Sequence, residues 1–532
     1  MSRAARLTLI ATVVGSGVVF LDTTVINVAL PKIGRELPSA RLGVLEAQSY
    51  VYNAYLLTLS ALLVLAGALN DHYGRRRMFL VGLGGFGVTS LACGLAPSME
   101  LLIAGRILQG AAGAVLVPGS LSLLTATFSG EQQGRAFGIW AGASAGTTIL
   151  GPFIGGALVD ILSWRAAFLI NLPFIAVAAW ATLAGVVESR DESSSGQFDW
   201  LGAFVVAGAV GGLSFGTIYG SQREWRDPLG FVLLGAGVLA TLALPFLMTR
   251  RAHPLIPPAL FRSRNFTVTN VSTFLIYGAL YVQIYYVAVF LQGTLGYTAA
   301  GGGLATTPGT LLLVFFSSRI GKIAGRYGPR VFMAVGPVVM MLGQLWYARI
   351  PPTSRPWLLA PGDPSTYLPP TDYVRDVFAA SFVYGIGLLL LVAPLTTALM
   401  TSVPVQNSGV ASAINNAISR VGPQLAGALI FLAITASFYS GLHARIPSLD
   451  VDSEDTRRTI APLNVPRSCG ENTPCPQAVV ERLAAQRDAS TEAFHLAMIV
   501  ASAMLGAGAL VNALGIRNPR APAEEARAPL AA

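Results

Sequence analysis

Apolar residues in this chain do not recur every three or four positions, as in a helix half-buried in water. They run on for about twenty residues, break at a short polar connector, and run on again. Hydrocarbon about 30 Å thick needs roughly 20 helical residues to cross it, and fourteen stretches of that kind divide almost the whole sequence. Seven lie near 7–30, 48–69, 78–96, 101–126, 136–160, 166–187 and 200–220. Seven more lie near 229–249, 268–292, 301–320, 331–350, 374–400, 408–436 and 494–515. The expected fold class is an all-α integral membrane protein with 14 transmembrane helices. Outer-membrane barrels are excluded, because their strands alternate apolar and polar residues over ~10 positions.

Composition agrees: with 53% hydrophobic and 11% charged residues the chain is too apolar for a water-soluble surface. Arg3 and Arg6 precede the first stretch as in a secretory signal, but that stretch is too long and lacks a small-residue cleavage site, so it is expected to stay attached. An even number of spans puts both termini on one side. Assigning that side to the cytoplasm places Arg75, Arg76 and Arg77 inside, and Lys and Arg then favour the inside once the long connector before the last span is set apart. The net charge of +9 is thus a topology signal, and no soluble domain with a clustered basic face points to nucleic acid. Lys32 and Lys322 are the only lysines in a chain rich in Ala, Gly and Arg, which resembles proteins of GC-rich bacteria. The expected location is a bacterial cytoplasmic membrane, as a monomer among membrane lipids. Cys93 falls within a span, whereas Cys469 and Cys475 lie in the long extracytoplasmic connector near 437–493. There they either close a small disulfide loop or remain free thiols. That connector, and the proline-rich one at 350–373, are each either a lid over the outer vestibule or a passive spacer.

Two echoes point to an internal duplication. Tyr73-Gly74-Arg75-Arg76 after the second span returns as Tyr327-Gly328-Pro329-Arg330 after the tenth. Gly151-Pro152-Phe153-Ile154-Gly155-Gly156 in the fifth returns as Gly422-Pro423-Gln424-Leu425-Ala426-Gly427 in the thirteenth. Both pair a helix with the one eight further on, as six helices, two inserted helices and six more would do. The expected division is a six-helix bundle over 1–190, two linker helices over 191–255, and a second six-helix bundle over 256–532. Paired bundles with a substrate path between them are a transporter architecture.

The connector Gly67-Ala68-Leu69-Asn70-Asp71-His72-Tyr73-Gly74-Arg75-Arg76-Arg77 resembles the cytoplasmic signature of the major facilitator superfamily. Leu21 to Pro31 (LDTTVINVALP), RILQGAAGAVLVPGS from Arg106, and Gly142 nine residues before Gly151-Pro152-Phe153-Ile154-Gly155-Gly156 are similar to the fourteen-helix drug:proton antiporters. So are SWRAAFLINLP from Ser163 and PLIPPALFRSRNF from Pro254. The resemblance implies a cytoplasmic gate built on Gly67, Asp71, Gly74, Arg75 and Arg76, which clasps the bundles in one orientation and releases them in the other. In water-exposed geometry such a clasp is worth roughly 0 to 1 kcal/mol per pair. It also implies that the helix bearing Gly142, Gly151, Pro152, Gly155 and Gly156 accompanies export, so the expected activity is proton-coupled efflux of lipophilic drugs or antibiotics. Export of a lipid or an endogenous metabolite, or uncoupled uniport or import, is the alternative.

Among the residues themselves, Asp22 stands out, since a carboxyl in a span is costly as an anion and normally faces a cavity, a partner or a proton path. Either it loads and unloads protons, or it sits permanently ionised at the outer end of its helix. Arg106, in the fourth span, is its expected partner in proton coupling, with an interhelical anchor as the other reading; Arg420 is expected to snorkel toward the cytoplasm. A membrane potential adds ~2.3 kcal/mol per charge per 100 mV and each pH unit ~1.4, so one proton supports roughly a thousandfold gradient. No GxxxxGK[ST] sequence offers ATP as the direct source, and no cofactor is expected. Tyr277, Tyr281 and Tyr285 form a stripe that either stacks on ligand or packs against helices. Asn27, Tyr52, Tyr55, Gln109, Asn415 and Asn416 complete the candidate cavity. No acid is read in the second-half spans, which favours large amphipathic, monovalent, neutral or zwitterionic cargo. No metal-ligand or Ser-His-Asp arrangement stands out among 4 histidines, so no enzyme is expected.

Overall fold

The structure, a computed structural model, describes residues 1–38, 44–190, 198–222, 225, 227–360, 362–453, 456–457, 460–465 and 476–518. Its long helices are α1 (Arg3–Glu36), α2 (Val44–Tyr73), α3 (Arg75–Gly94), α4 (Met99–Thr127), α5 (Gly130–Ile161), α6 (Ala166–Gly185) and α7 (Trp200–Gln222). They continue with α8 (Pro228–Arg250), α9 (Arg264–Val289), α10 (Thr307–Tyr327), α11 (Arg330–Tyr347), α12 (Ala379–Thr401), α13 (Ser408–Arg445) and α14 (Gln477–Gly515). No strand occurs among the described residues, so the class is all-α. Of these helices 12 are long and apolar enough to cross a membrane; α5 and α10 fall outside that set. That count covers the described residues, which leave out several side chains in the apolar half of α5, whereas α10 is kept out of it by Arg319 and Lys322.

Local signals set the ends. Asp227 caps α8 by accepting from the Leu229 N–H at 2.9 Å, with Pro228 at the first helical position, where no N–H is needed. The turns between α2 and α3 and between α10 and α11 pass through Gly74 at φ +102° and Gly328 at φ +90°, a backbone region glycine enters without strain. Expected connectors shrink where helices run past the bilayer: α13 continues to Arg445 and α14 begins at Gln477, so much of 437–493 is helical. Its described middle docks on the second half, where Ile460 and Leu463 are buried and the Val465 N–H donates to the Gly293 carbonyl at 2.8 Å. Cys469 and Cys475 lie outside the described residues.

Packing repeats with a shift of eight helices. In the first half α1 packs on α5 and α6, α2 on α4, and α3 on α4 and α6. In the second, α9 packs on α13 and α14, α10 on α12, and α11 on α12 and α14. The halves meet along two seams, α2 against α13 and α5 against α10, and the same shift exchanges one seam for the other. Helices α7 and α8 cross through Gly212 and Gly237, where a methyl on Gly212 would lie 2.7 Å from the Gly237 Cα. Through α7 this pair leans on both α2 and α13, while α8 is only 6% buried over its apolar window. The start of α1 and the end of α14 share one face, called here the terminal face.

Candidate functional site

At the terminal face the end of α2 meets the start of α13. Gly67 allows the approach, since a methyl there would overlap the Gly409 carbonyl and lie 2.5 Å from the Ala413 Cβ. The Asp71 carboxylate caps α13 across the seam, accepting from the Gly409 N–H at 3.1 Å and the Val410 N–H at 2.9 Å. These are the second and third residues of that helix, where orphan donors and the positive end of the helix dipole favour an anion. Arg75 donates to Asp71 from Nε at 3.2 Å and Nη2 at 3.0 Å, and Nη2 also reaches the Val405 and Gln406 carbonyls. Asp71 is 5% exposed and Arg75 1%, so the clasp is buried, and the water-exposed figure of the sequence analysis does not describe it. Arg76 stands outside it. The Arg76 and Arg77 N–H groups instead donate to Glu188 at 3.0 Å each, which caps α3. Gly325, the echo of Asp71, lies against the first turn of α5, where Lys322 pairs with Glu131 at 3.2 Å.

The second seam is backbone against backbone. A methyl on Gly138 of α5 would lie 2.7 Å from the Ser318 Cα, and one on Gly142 3.1 Å from the Val314 carbonyl oxygen. Small residues at four-residue spacing permit such contact in membranes. Further along α5, Gly151 and Gly155 face α1; a methyl on Gly155 would lie 3.0 Å from the Val25 Cα. Helix α5 continues unbroken through Pro152 and Gly156, whose side chains lie outside the described residues.

Asp22 and Arg106 are both 0% exposed, and Arg106 Nη1 donates to Asp22 Oδ2 at 2.5 Å. Asp22 Oδ1 accepts from Gln109 Nε2 and Asn171 Nδ2, each at 3.0 Å. Gln109 Oε1 in turn accepts from Arg106 Nη1 at 2.8 Å, and Ser90 Oγ accepts from Gln109 Nε2 at 2.8 Å. Arg106 Nε is held by the Val51 carbonyl at 3.2 Å, and the Tyr55 ring lies 4.0 Å from the guanidinium carbon. Among the described residues Arg106 Nη2 and Asn171 Oδ1 are buried without a partner. Five helices, α1, α2, α3, α4 and α6, thus enclose one ion pair and its polar cage. Gln109 and Tyr55, expected to line a cavity, are instead fully buried parts of this cage. Asn171 and Ser90 were not foreseen; their only signal was an uncharged polar group in an apolar run.

The remaining cavity candidates divide. Tyr281 and Tyr285, 49% and 62% exposed, line a cavity of about 580 Å³ with Tyr286, Gln424, Phe431 and Thr217. Tyr277 is partly buried and packs into the core of the second half, so the stripe is not one continuous face. Tyr52 interacts with Asn27 of α1, Tyr281 of α9 and Arg420 of α13. Asn415 donates to Asn270 Oδ1 at 3.1 Å and Thr273 Oγ1 at 2.9 Å, which fixes α13 to α9, and Asn416 donates to its own helix at the Ser412 carbonyl. Arg420 lies twelve residues into α13, roughly 18 Å from its start at ~1.5 Å per residue, and is half-buried. The expected absence of acids from the second-half spans fails at Asp376. It is 6% exposed in the π turn Tyr373–Phe378 that leads into α12, and pairs with Ser354 Oγ and Arg375 at 2.8 Å each.

Comparison with known proteins extends these observations. Residues 12–427 match the family described as Major Facilitator Superfamily. The chain is 32% identical over 520 residues to the multidrug resistance protein Stp of Mycobacterium tuberculosis, covering 95% of this chain and 91% of that one. It is 31% identical to the tetracenomycin C resistance and export protein of Streptomyces glaucescens, covering 80% of this chain and 74% of the relative. Among solved structures, the proton:xylose symporter XylE superposes with a TM-score of 0.55 at 14% identity, over 95% of this chain and 94% of XylE, a likeness of fold alone.

Proposed function

Because this chain belongs to the major facilitator superfamily, a family of multi-pass membrane transporters rather than enzymes, we propose that it is a proton-coupled antiporter that exports lipophilic compounds by alternating access. The single observation that carries the coupling is the enclosed Asp22–Arg106 pair, a carboxylate and its counter-ion at 2.5 Å with neither exposed. A charge in that setting is tolerated only while its partner stays. Asp22 therefore alternates between two neutralising partners, Arg106 and a proton. When a proton arrives, Arg106 loses its carboxylate and keeps only neutral partners, the Val51 carbonyl, Gln109 Oε1 and the face of the Tyr55 ring, so the helices around the pair shift.

The moving parts are two six-helix bundles, residues 1–190 and 256–532, with the helices of 191–255 inserted between them. The repeat of packing with a shift of eight supports this division. The terminal face is assigned to the cytoplasm of a bacterial cell, with both termini there, and the Asp71–Arg75 clasp holds that face closed. Outward movement rests on the relatives, one a multidrug resistance protein and one a resistance and export protein.

The test uses purified protein in liposomes with an imposed pH gradient and two xanthene dyes, fluorescein and rhodamine 123, as cargo. Wild type is expected to concentrate at least one dye against its gradient, and Asp22→Asn to reduce this to passive leak. Equal, gradient-independent movement in both proteins would end the coupling proposal.

A further inference from the structure

We infer that Arg420 is the recognition group for an anionic amphiphile, so that the cargo carries a carboxylate, sulfonate, phosphate or phenolate on a lipophilic frame. This rests on the transport reading above and names the substrate class of its cleft. Arg420 stands about midway through the hydrocarbon, where an uncompensated guanidinium costs several kcal/mol. Among the described residues the buried acids of the spans are already held. Asp22 is held by Arg106, Gln109 and Asn171. Asp71 is held by Arg75 and the start of α13, and Asp376 by Ser354 and Arg375. Among the described residues Arg420 forms no salt bridge. Arg420 therefore carries a surplus positive charge about midway through the membrane part of α13, one turn before the residues of that helix that line the cavity.

Its surroundings suit an amphiphile. Tyr52 of α2 hydrogen-bonds Asn27 and lies within electrostatic reach of Arg420 and Tyr281, so the first half brings an aromatic hydroxyl toward the guanidinium. One turn further along α13, Gln424 lines the cavity of about 580 Å³ together with Tyr281, Tyr285 and Phe431. The Gln424 Oε1 is buried without a partner among the described residues. That volume falls within the usual range for drug-sized ligands. A planar guanidinium pairs with carboxylate or phosphate through two parallel N–H donors, and the tyrosine rings give the lipophilic part a surface to stack on.

The experiment is equilibrium binding to purified protein in neutral detergent at fixed pH, without any gradient. Fluorescein and rhodamine 123 share a xanthene ring system and differ in the sign of their charge. Wild type is expected to bind fluorescein at least tenfold more tightly than rhodamine 123. Arg420→Gln should lose that preference through fluorescein alone, and Arg420→Lys should keep most of it, which separates recognition from misfolding. Tighter rhodamine binding, no fluorescein binding, or an equal loss of both dyes in Arg420→Gln would overturn the assignment. Adding phosphatidylglycerol in place of phosphatidylcholine separates two sources of the anion. Competition that depends on Arg420 assigns the site to a lipid headgroup, and its absence to a soluble amphiphile. Loss of proton drive in liposomes with this selectivity intact would remove the coupling and leave the assignment of Arg420 standing.

Discussion

A buried carboxylate is only as stable as its donors, and Asp22 has three: Arg106, Gln109 and Asn171. Replacing Asn171 by Ala leaves Oδ1 with Gln109 alone. A hydrogen bond to a charged group contributes about 1.5–3 kcal/mol, so Asn171→Ala should lower the thermal midpoint in detergent while proton-driven transport persists. An unchanged midpoint would show that the cage does not need this amide. At this scale the sequence was informative about charge and mute about amides. Asp22, Arg106, Asp71 and Arg75 announce themselves, because an ionised group in or beside an apolar run demands compensation. Asn171, Ser90 and the backbone donors of Gly409 and Val410 do not, since an uncharged polar group in a span has many acceptable partners. Glu188 was missed for a related reason: its partners are the N–H groups of Arg76 and Arg77, which any sequence supplies.

Among the helices, the pairing of α5 with α10 depends on the absence of side chains. Gly138→Val places a branched side chain where a single methyl already lies 2.7 Å from the Ser318 Cα, whereas a methyl on Gly146 lies 3.8 Å from its nearest neighbour. Overpacking of this kind costs about 1–3 kcal/mol. Gly138→Val should therefore part the two helices and abolish drug resistance at normal expression, and Gly146→Val should do neither; spin-label distances between α5 and α10 measure the parting. Helix order and most helix positions were legible in the apolar runs. The lengths of α13 and α14 were not, because both helices continue where the composition turns polar.

For the molecule as a whole, the clasp is what joins α2 to α13 at the terminal face. Removing one member of a buried, hydrogen-bonded charge pair costs about 3–5 kcal/mol, and Asp71 makes its contacts across the seam only while the terminal face is closed. Asp71→Asn should shift the balance toward the open form by about a hundredfold to a few thousandfold, at roughly 1.4 kcal/mol per factor of ten. Spin labels at the exposed positions of Tyr73 and Val405 should then report a longer distance; an unchanged distribution would mean that the clasp does not set the balance. The shift of eight in the sequence foretold the repeat of packing, but not where the seventh and eighth helices would rest. Helix α7 leans on α2 and α13 together, and its companion stands almost wholly in lipid. In the proposed cycle of rocking halves those two supports separate, and α7 travels with only one of them. Each such cycle would peel the helix from the other support and draw its companion through the surrounding bilayer. On that reading the thickness and viscosity of the host membrane brake the turnover rate.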